Sequence, residues 1–534
     1  MGRLRQSALE FVSRDSDITA GARGRRTQPR TSGSEYRIGA SVTMAGVGRE
    51  APPAYGGAAM PVRNNRVGID PMLTRARRWC NGALAAALGV IVLGAAATPV
   101  AAVGVRAEAA TTRDVHALAT STSAIQAGSV DRSSIQLQAR YNVAVDLRFD
   151  AGTMGVDSSM TVTNTSGAGI DRLELNSVAA RLGAMRLRSV TVDGTPRTAT
   201  IEDQTIHVPL GGVLPAGATA TVRIAYEATF RTTTTGSNWL FAKRNGIVNA
   251  YRWLPWISRE RAFTRPNFGD PFVTAVSPHV RVAITMDRAM RVATQGLRVS
   301  ASGLTHTFEA RNVRDFNFTA SPHYLLLMST VGGIKYRVYY RSGTPASTMM
   351  SWAKRALTRM EGLVGDYPYP VYTVAESAGG YGMESPALTW IPRGTASSSL
   401  PYLISHETAH QWFYAVVGND QASEPFADEA PADFLARYTL GIRRGSRCSG
   451  DRLDRTIYIY SSACYYEVIY IQGGNFLDGL RGRMGNADFW AGMRDYYATY
   501  RFKLAGTAQL LRTLDRHTSL DLVPTYEPRF PRYY

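Results

Sequence analysis

The sequence contains little cysteine and little lysine. Three cysteines in 534 residues exclude a small disulfide-stabilised scaffold, which needs far more cross-links for its length. Arginine supplies nearly all of the positive charge, since four of the 60 basic residues are lysine. The net charge is +18, yet no basic run is interleaved with aromatic residues. This pattern argues against nucleic-acid binding, and we expect no nucleic acid partner.

The first 109 residues differ in composition from the rest. Residues 1–71 are rich in Arg, Gly, Ser and Pro and lack apolar periodicity, which is typical of disorder. Within 72–109 a basic cluster precedes 15 mostly apolar residues, Ala83 to Ala97, the length of a signal-peptide core. We predict an exported protein, secreted or associated with the cell envelope; an uncleaved membrane anchor is the alternative, and only then do we expect membrane association. Because a signal should open a chain, we hypothesise that translation starts at Met72 and that residues 1–71 are an over-extended reading frame.

Residues 137–330 show the pattern of β-strands. Tyr141 to Phe149 alternates apolar and polar residues, and similar runs recur along this region between turn signals such as Asp193-Gly194. Short strands at this spacing predict an antiparallel β-sandwich or saddle. The aromatic cluster Tyr251 to Trp256 is interpreted as core and inter-domain packing rather than as a ligand cage.

From about residue 346 the apolar period becomes helical, and His406-Glu407-x-x-His410 follows. On a helix, positions i and i+4 share one face, so both imidazoles can reach one metal ion. Glu407 is placed to their side, where a general base belongs. A catalytic zinc takes three protein ligands, and Glu429, with 18 residues between it and His410, is the candidate third. Asp428 is expected to lie in solvent or behind the ligands.

The five-residue motif from His406 to His410 (the pentad), the 18-residue gap before Glu429 and the Met383-Glu384 segment upstream resemble the gluzincin zinc aminopeptidases. This is the family of aminopeptidase N and the leukotriene hydrolase. The resemblance covers about residues 137–520. It implies an α+β fold, in which an N-terminal antiparallel β-saddle at 137–330 precedes a mainly helical, thermolysin-like zinc catalytic domain at 335–520. Residues 521–534 are then expected to form a C-terminal tail.

The resemblance also implies roles for individual residues. His406, His410 and Glu429 would hold one Zn²⁺ per chain, and Glu407 would assist the attack of a zinc-bound water on a peptide bond. Tyr470 matches the tyrosine that stabilises the oxyanion, with its neighbours Tyr465 and Tyr466 as rivals. The expected activity is removal of N-terminal residues from peptide substrates.

Substrate recognition is implied at the glycine-rich segment upstream of the pentad. Glu384 matches the glutamate that binds the substrate's α-amino group. The run Gly379 to Gly382 matches the edge strand that pairs with the peptide backbone. The residues implied to bind substrate are Glu384, Gly380, Gly382 and Met383.

The sequence departs from the family pattern at several positions. Ser385 stands in place of Asn, Ala430-Pro431 in place of a Gly, and Gln472 in place of a Lys. The family's second amine-binding acid is missing, since 245–250 contains no acidic residue. Two alternatives therefore stay open, an envelope zinc endopeptidase and a non-catalytic peptide-binding protein. Glu407 argues against the second, because a binding protein needs no base.

Two cysteines follow the signal segment. Cys448 and Cys464 are 16 residues apart, and an exported chain meets oxidising conditions. We predict a disulfide bridge between them that fixes the segment delivering Tyr470, with two buried free thiols as the alternative.

Overall fold

The computed structural model describes residues 123–259, 273–450, 452–460 and 462–534, all within one compact unit. The predictions made for residues 1–71 and for the signal segment 72–109 lie outside these described residues. Across the described ranges, no helix is both long enough and apolar enough to cross a membrane.

The strands of the first region form one eight-stranded sheet and two four-stranded sheets, with half of the strands in the largest. A short helix α1 (Val178–Leu182) and a 3₁₀ turn (Gly236–Leu240) interrupt the strands. In chain order the strands are β1 (Leu137–Arg148), β2 (Thr153–Asn164), β3 (Ile170–Asn176), β4 (Arg186–Val192), β5 (Thr195–Pro196), β6 (Thr200–Glu202), β7 (Thr205–Leu214), β8 (Thr219–Thr229), β9 (Phe241–Arg244), β10 (Ile247–Ala250), β11 (Trp256–Ile257), β12 (Val280–Met286), β13 (Arg291–Thr294), β14 (Leu297–Ser302), β15 (Thr305–Ala310) and β16 (Phe318–Ser321). The eight-stranded sheet has the order β14-β15-β12-β1-β2-β8-β4-β5, and the four-stranded sheets have the orders β13-β16-β10-β9 and β11-β3-β7-β6.

Alternating burial explains why these segments are strands. Successive residues of β1 and β2 alternate between the core and the outer face, as they do in a sheet that packs on one side. The turn between β4 and β5 has Asp193 at φ 47° and Gly194 at φ 81°. Two positive φ angles in a two-residue loop match the right-handed twist of the paired strands, and this accounts for the Asp-Gly signal.

One strand pair departs from the predicted antiparallel arrangement. β1 and β12 run parallel, with Tyr141 opposite Val280, while β1 and β2 pair antiparallel. Side chains alternate along a strand in the same way in both arrangements, so the sequence pattern could not distinguish them. Parallel strands also need a long connection rather than a hairpin, and here the chain from 149 to 279 supplies it.

The second region combines helices with a five-stranded mixed sheet. Its strands are β17 (Leu325–Val331), β18 (Ile334–Tyr340), β19 (Val371–Ser377), β20 (Met383–Ser385) and β21 (Leu388–Pro392), and their order in the sheet is β17-β18-β19-β21-β20. Its helices are α2 (Ala346–Val364), α3 (Leu400–Ala409), α4 (Phe426–Leu440), α5 (Ser462–Tyr465), a π-helical segment (Tyr466–Gln472), α6 (Gly473–Met484), α7 (Asn486–Thr499), α8 (Thr507–Asp515) and α9 (Val523–Tyr526).

The two regions share a core. Tyr251 and Trp253 of the aromatic cluster are fully buried, and the Tyr251 ring meets Trp390 of β21 edge-on at 5.8 Å. The interpretation of this cluster as core packing is confirmed by these contacts. Residues 521–534, predicted as a C-terminal tail, pack on the domain, where Phe530 is buried with its ring 4.8 Å from that of Phe426 at the start of α4.

Candidate active site

The histidine pair lies at the C-terminal end of helix α3. Pro401 occupies the first turn, where its missing N–H costs no hydrogen bond. His406 lies in the last turn, and His410 follows directly after the helix. Their Nε2 atoms are 3.3 Å apart, so the i and i+4 spacing brings both imidazoles to one point.

Glu429 joins this pair from the first turn of α4. Its Oε2 lies 3.3 Å from His406 Nε2 and 3.5 Å from His410 Nε2. One potential ligand atom from each of the three residues falls within 4.8 Å of the others, and all three side chains are buried. The loop between α3 and α4 therefore places the acid beside the histidines, as the sequence predicted.

The residues present fit a zinc ion. Two imidazole nitrogens and one carboxylate oxygen are the donor set of a three-ligand catalytic zinc. Glu429 Oε2 is buried and accepts no hydrogen bond within the described residues. The carboxyl groups of Glu384, Glu407 and Asp428 are buried in the same site. A divalent cation would offset this concentration of buried acidic groups.

Asp428 lies behind His410 rather than in the metal cluster. Its Oδ1 is 2.8 Å from His410 Nδ1, and Gln421 Nε2 donates to its other oxygen. Burial disfavours the charged imidazole, but the adjacent Asp428 carboxylate raises the pKa of His410 well above its usual range. A carboxylate at Nδ1 fixes the ring and leaves Nε2 directed at the metal position.

Glu407 is buried beside the ligands, where a base would act. Burial, with the nearby Glu384 carboxyl, raises the pKa of Glu407 well above that of an exposed glutamate. Gly382 makes room for this side chain, because a Cβ at position 382 would lie 2.2 Å from Glu407 Oε1. Gly382 thus permits the close approach of the carboxyl group.

Glu384 projects from the edge strand β20. Burial raises the pKa of its carboxyl to about 8, and its Oε1 has no hydrogen-bond partner among the described residues. Gln411 Nε2 donates to the Ser385 carbonyl at 3.0 Å, which ties the strand to the segment after α3. Met383 is also buried.

The glycine run differs from its predicted form. Residues 378–381 form a bend, and the strand begins only at Met383. Gly380 has φ 93°, and a Cβ there would lie 2.1 Å from the Trp239 ring. The positive φ and the tight packing account for the glycine, and both prevent regular strand geometry.

Of the three candidate tyrosines, Tyr470 is the one whose ring stacks on a histidine of the pair. It belongs to the π-helical segment Tyr466–Gln472, and its ring stacks on His406 at 5.4 Å between centroids. The rival Tyr466 is engaged elsewhere, since Arg444 donates to its hydroxyl. The other rival, Tyr465, contacts the Tyr470 ring edge-on at 5.8 Å.

A disulfide joins Cys448 to Cys464, with 5.8 Å between the Cα atoms. Gln472 reinforces the link, because its Nε2 donates to the Cys448 carbonyl at 2.7 Å. The Arg447 backbone N–H also donates to Glu467 at 2.9 Å. These contacts fasten the loop after α4 to the segment that carries the candidate tyrosine.

Sequence reasoning missed several neighbours of His406. Tyr402 stacks on its ring at 5.8 Å, Asp433 accepts from the Tyr402 hydroxyl, and Arg444 lies over the Tyr402 ring. The i−4 position of Tyr402 on the pentad's own helix was the available signal. Sequence alone does not reveal the contacts of Asp433 and Arg444 with it.

No acid replaces the missing second amine-binding residue in the described β10 region. Asn249 is the buried polar residue there, and its amide is engaged on both sides. It donates to the Trp239 carbonyl at 2.7 Å and accepts from the Ala378 N–H at 2.9 Å. Asn249 therefore connects β10 to Trp239 and to the segment after β19 through both ends of its amide.

Solved structures of zinc peptidases are similar to this chain. An M1 zinc metallopeptidase mutant from Deinococcus radiodurans matches with 19% identity and a TM-score of 0.59, covering 74% of this chain and 97% of that one. A mutant from the same organism bound to a Tyr-Ser-Ala substrate has 18% identity and a TM-score of 0.56, covering 74% and 96%. A two-domain M1 zinc metallopeptidase mutant bound to L-arginine has 20% identity and a TM-score of 0.56, covering 72% and 94%.

No protein-family profile and no curated protein sequence matches this chain. At these identities the structural matches establish architecture, and they agree with the α+β arrangement of β-domain and helical domain described above. This chain has the fold of the two-domain M1 zinc metallopeptidases.

Proposed function

We propose that this protein is a zinc-dependent metallopeptidase that removes N-terminal residues from peptides. One observation carries the proposal: the ligand atoms of His406, His410 and Glu429 lie within 4.8 Å of one another, with Glu407 buried beside them. A non-catalytic peptide-binding protein would need the three metal ligands but would have no use for a general base such as Glu407. The shared fold adds support, because the similar structures are named as zinc metallopeptidases.

His406, His410 and Glu429 would hold a zinc ion, whose Lewis acidity would lower the pKa of a water and polarise the scissile carbonyl. Glu407 would take the proton from that water and pass it to the leaving amine. Burial raises the pKa of Glu407, which makes its carboxylate a stronger base than that of an exposed glutamate. The Tyr470 hydroxyl would hydrogen-bond to the oxygen that gains negative charge.

Glu384 would bind the substrate's free amino group. Burial raises the pKa of the Glu384 carboxyl to about 8, and a positive α-ammonium beside it would favour its ionised form and a charge-assisted hydrogen bond. Its Oε1 has no protein partner among the described residues. One similar structure contains a Tyr-Ser-Ala substrate. Short peptides with free N-termini are therefore the first substrates to test.

A zinc endopeptidase is the second candidate, favoured by one observation. The family's second amine-binding acid is absent, and Asn249 in that region is occupied by the Trp239 carbonyl and the Ala378 N–H. Glu384 would then recognise the amine alone. We infer a site that excludes blocked N-termini less strictly than a two-carboxylate site would.

A peptide library digested with the purified protein and analysed by mass spectrometry tests the proposal. Stepwise loss of N-terminal residues is the expected result, and Glu407→Gln protein is the matched control. Internal cleavage alone would favour the endopeptidase, and an undigested library would contradict both candidates.

We also infer export from the cytoplasm to the cell envelope or beyond. The signal-like segment at 72–109 motivates this proposal, and the Cys448–Cys464 disulfide suits an oxidising compartment. Fractionation of the native cells, followed by N-terminal sequencing, tests it. A cytoplasmic protein that retains residues 72–109 would contradict export.

A further inference from the structure

The two histidines of the candidate zinc site are oriented by different contacts. His410 has Asp428 Oδ1 at 2.8 Å from its Nδ1. The Nδ1 atom of His406 is closed off from solvent, and no described residue forms a hydrogen bond with it. Metal-binding histidines ordinarily use the second ring nitrogen in a hydrogen bond that fixes the ring. Within the described residues, the packing of neighbouring rings is therefore what fixes the orientation of His406.

Two tyrosines pack on the His406 ring. Tyr402 lies at 5.8 Å between centroids with an interplanar angle of 24°. Tyr470 lies at 5.4 Å with an angle of 22°. Nearly parallel neighbours resist rotation of the imidazole about its Cβ–Cγ bond, because turning the ring would drive its edge into them. Tyr402 is four residues before His406 on α3, so the helix itself sets this contact.

Tyr402 is in turn fixed by charged residues. Its hydroxyl donates to Asp433 Oδ1 at 2.5 Å. Asp433 is fully buried, and its other oxygen lies 2.6 Å from Arg437 Nε, one turn further along α4. The Arg444 guanidinium lies over the Tyr402 ring, with its carbon 4.0 Å from the centroid. A tyrosine held at both its hydroxyl and its ring gives its neighbour a rigid surface.

These contacts also connect Tyr402 to the candidate oxyanion tyrosine. Arg444 donates to the Tyr466 hydroxyl, and the Tyr466 ring lies 4.9 Å from that of Tyr470. Tyr470 in turn stacks on His406. Tyr402 therefore contacts His406 directly and also indirectly, through Arg444, Tyr466 and Tyr470. Movement of Tyr402 would therefore disturb a metal ligand and the neighbouring tyrosine together.

We propose that Tyr402 is a positioning residue for the metal ligand His406, because it offers a fixed aromatic surface to a ring whose Nδ1 no described residue hydrogen-bonds. Tyr402 acts through His406 and has no contact with substrate in this role. The proposal rests on the proposed function, because it requires His406 to bind zinc.

The test compares Tyr402→Leu, which removes the ring, with Tyr402→Phe, which keeps the ring and loses the hydroxyl. Tyr438→Leu is the matched control, because Tyr438 is a half-buried helical tyrosine that packs on Trp490 with Arg481 over its ring. Zinc affinity is measured by competition with a chromophoric chelator. The visible spectrum of cobalt-substituted protein reports ligand geometry, and circular dichroism of the apoprotein reports folding.

We expect Tyr402→Leu to weaken zinc binding ~10–100-fold, the usual effect of removing a group that orients a ligand, and to change the cobalt spectrum. Tyr402→Phe should lose less zinc affinity than Tyr402→Leu, because it keeps the ring. Tyr438→Leu should bind zinc as the wild type does. Tyr402→Leu protein with wild-type affinity and an unchanged spectrum would overturn the proposal, as would an equal loss in Tyr438→Leu.

If Tyr402→Leu does not fold, Arg444→Met is the deciding variant, because position 444 lies in a loop outside α3 and α4. Weaker zinc binding than in the wild type is expected, and unchanged binding would overturn the proposal. Wild-type protein that binds no zinc would instead show that the proposed function has failed, and the positioning role would fail with it.

Discussion

The two sides of the candidate active site are built in different ways. The metal side comes from α3 and α4, where the ligands occupy one pentad and one helix start. The tyrosine side combines a loop containing Arg444 with a π-helical segment, and the Cys448–Cys464 bridge joins them. One side depends on local spacing and the other on tertiary contacts. Changes on the metal side should therefore lower activity the most, and changes on the tyrosine side should lower it less.

The largest expected effect is on the metal side, at the base. Glu407→Gln should lower kcat by ~10²–10⁴-fold, the range of a positioned general base, while zinc content stays at the wild-type level. The amide has a similar size but cannot take the proton. Steady-state kinetics on a free-amine peptide and metal analysis of the same sample check this. Full activity in the variant would exclude Glu407 as the base.

The tyrosine side should give the next largest effect. Tyr470→Phe should lower kcat by ~10²–10³-fold, as expected for losing one oxyanion donor, with little change in KM. Tyr466→Phe and Tyr465→Phe are controls from the same segment, and both should retain most of the activity. If one of these controls loses the activity and Tyr470→Phe keeps it, the role belongs to the neighbour.

The Glu384→Ala variant tests recognition of the substrate's amino group separately from the catalytic step. Glu384→Ala should lower kcat/KM ~10–100-fold on free-amine peptides, since a charge-assisted hydrogen bond contributes ~1.5–3 kcal/mol. The same variant should change little on N-acetylated peptides, which carry no ammonium group. Kinetics on matched free and acetylated pairs measure both values. Equal losses on the two substrates would show that Glu384 supports the site without binding the amine.

The smallest effect on activity is expected from the disulfide. Replacing Cys448 and Cys464 together by Ser should lower the free energy of unfolding by ~3 kcal/mol in the chain-entropy model. Activity should fall only several-fold, because Gln472 and Glu467 still bind the loop. Denaturant unfolding and kinetics on the double variant check both values. Unchanged stability would show that the bridge does not constrain this segment.

The metal side was predictable because its information is local. Helical periodicity places His406, Glu407 and His410 near one point, and a charged residue at a helix start is also visible in sequence. The strands of the first region were predictable for the same reason, since alternation sets which face is buried.

The remaining features depend on how distant segments meet. Strand alternation cannot specify that Tyr141 pairs in parallel with Val280. The positive φ of Gly380 follows from contact with Trp239. The contact of Arg444 with Tyr402 depends on where the loop after α4 is fastened. Such contacts combine residues that no local pattern connects, so they become visible only in the folded chain.

We propose that His406, His410 and Glu429 together hold one zinc ion. Metal analysis of the wild-type protein, purified and then dialysed against trace zinc, is the sharpest test when His410→Ala and Glu407→Gln are treated in parallel. About one zinc per chain is expected in the wild type and in Glu407→Gln, and almost none in His410→Ala, which loses a ligand. Wild-type protein without zinc, or His410→Ala protein with a full equivalent, would contradict it.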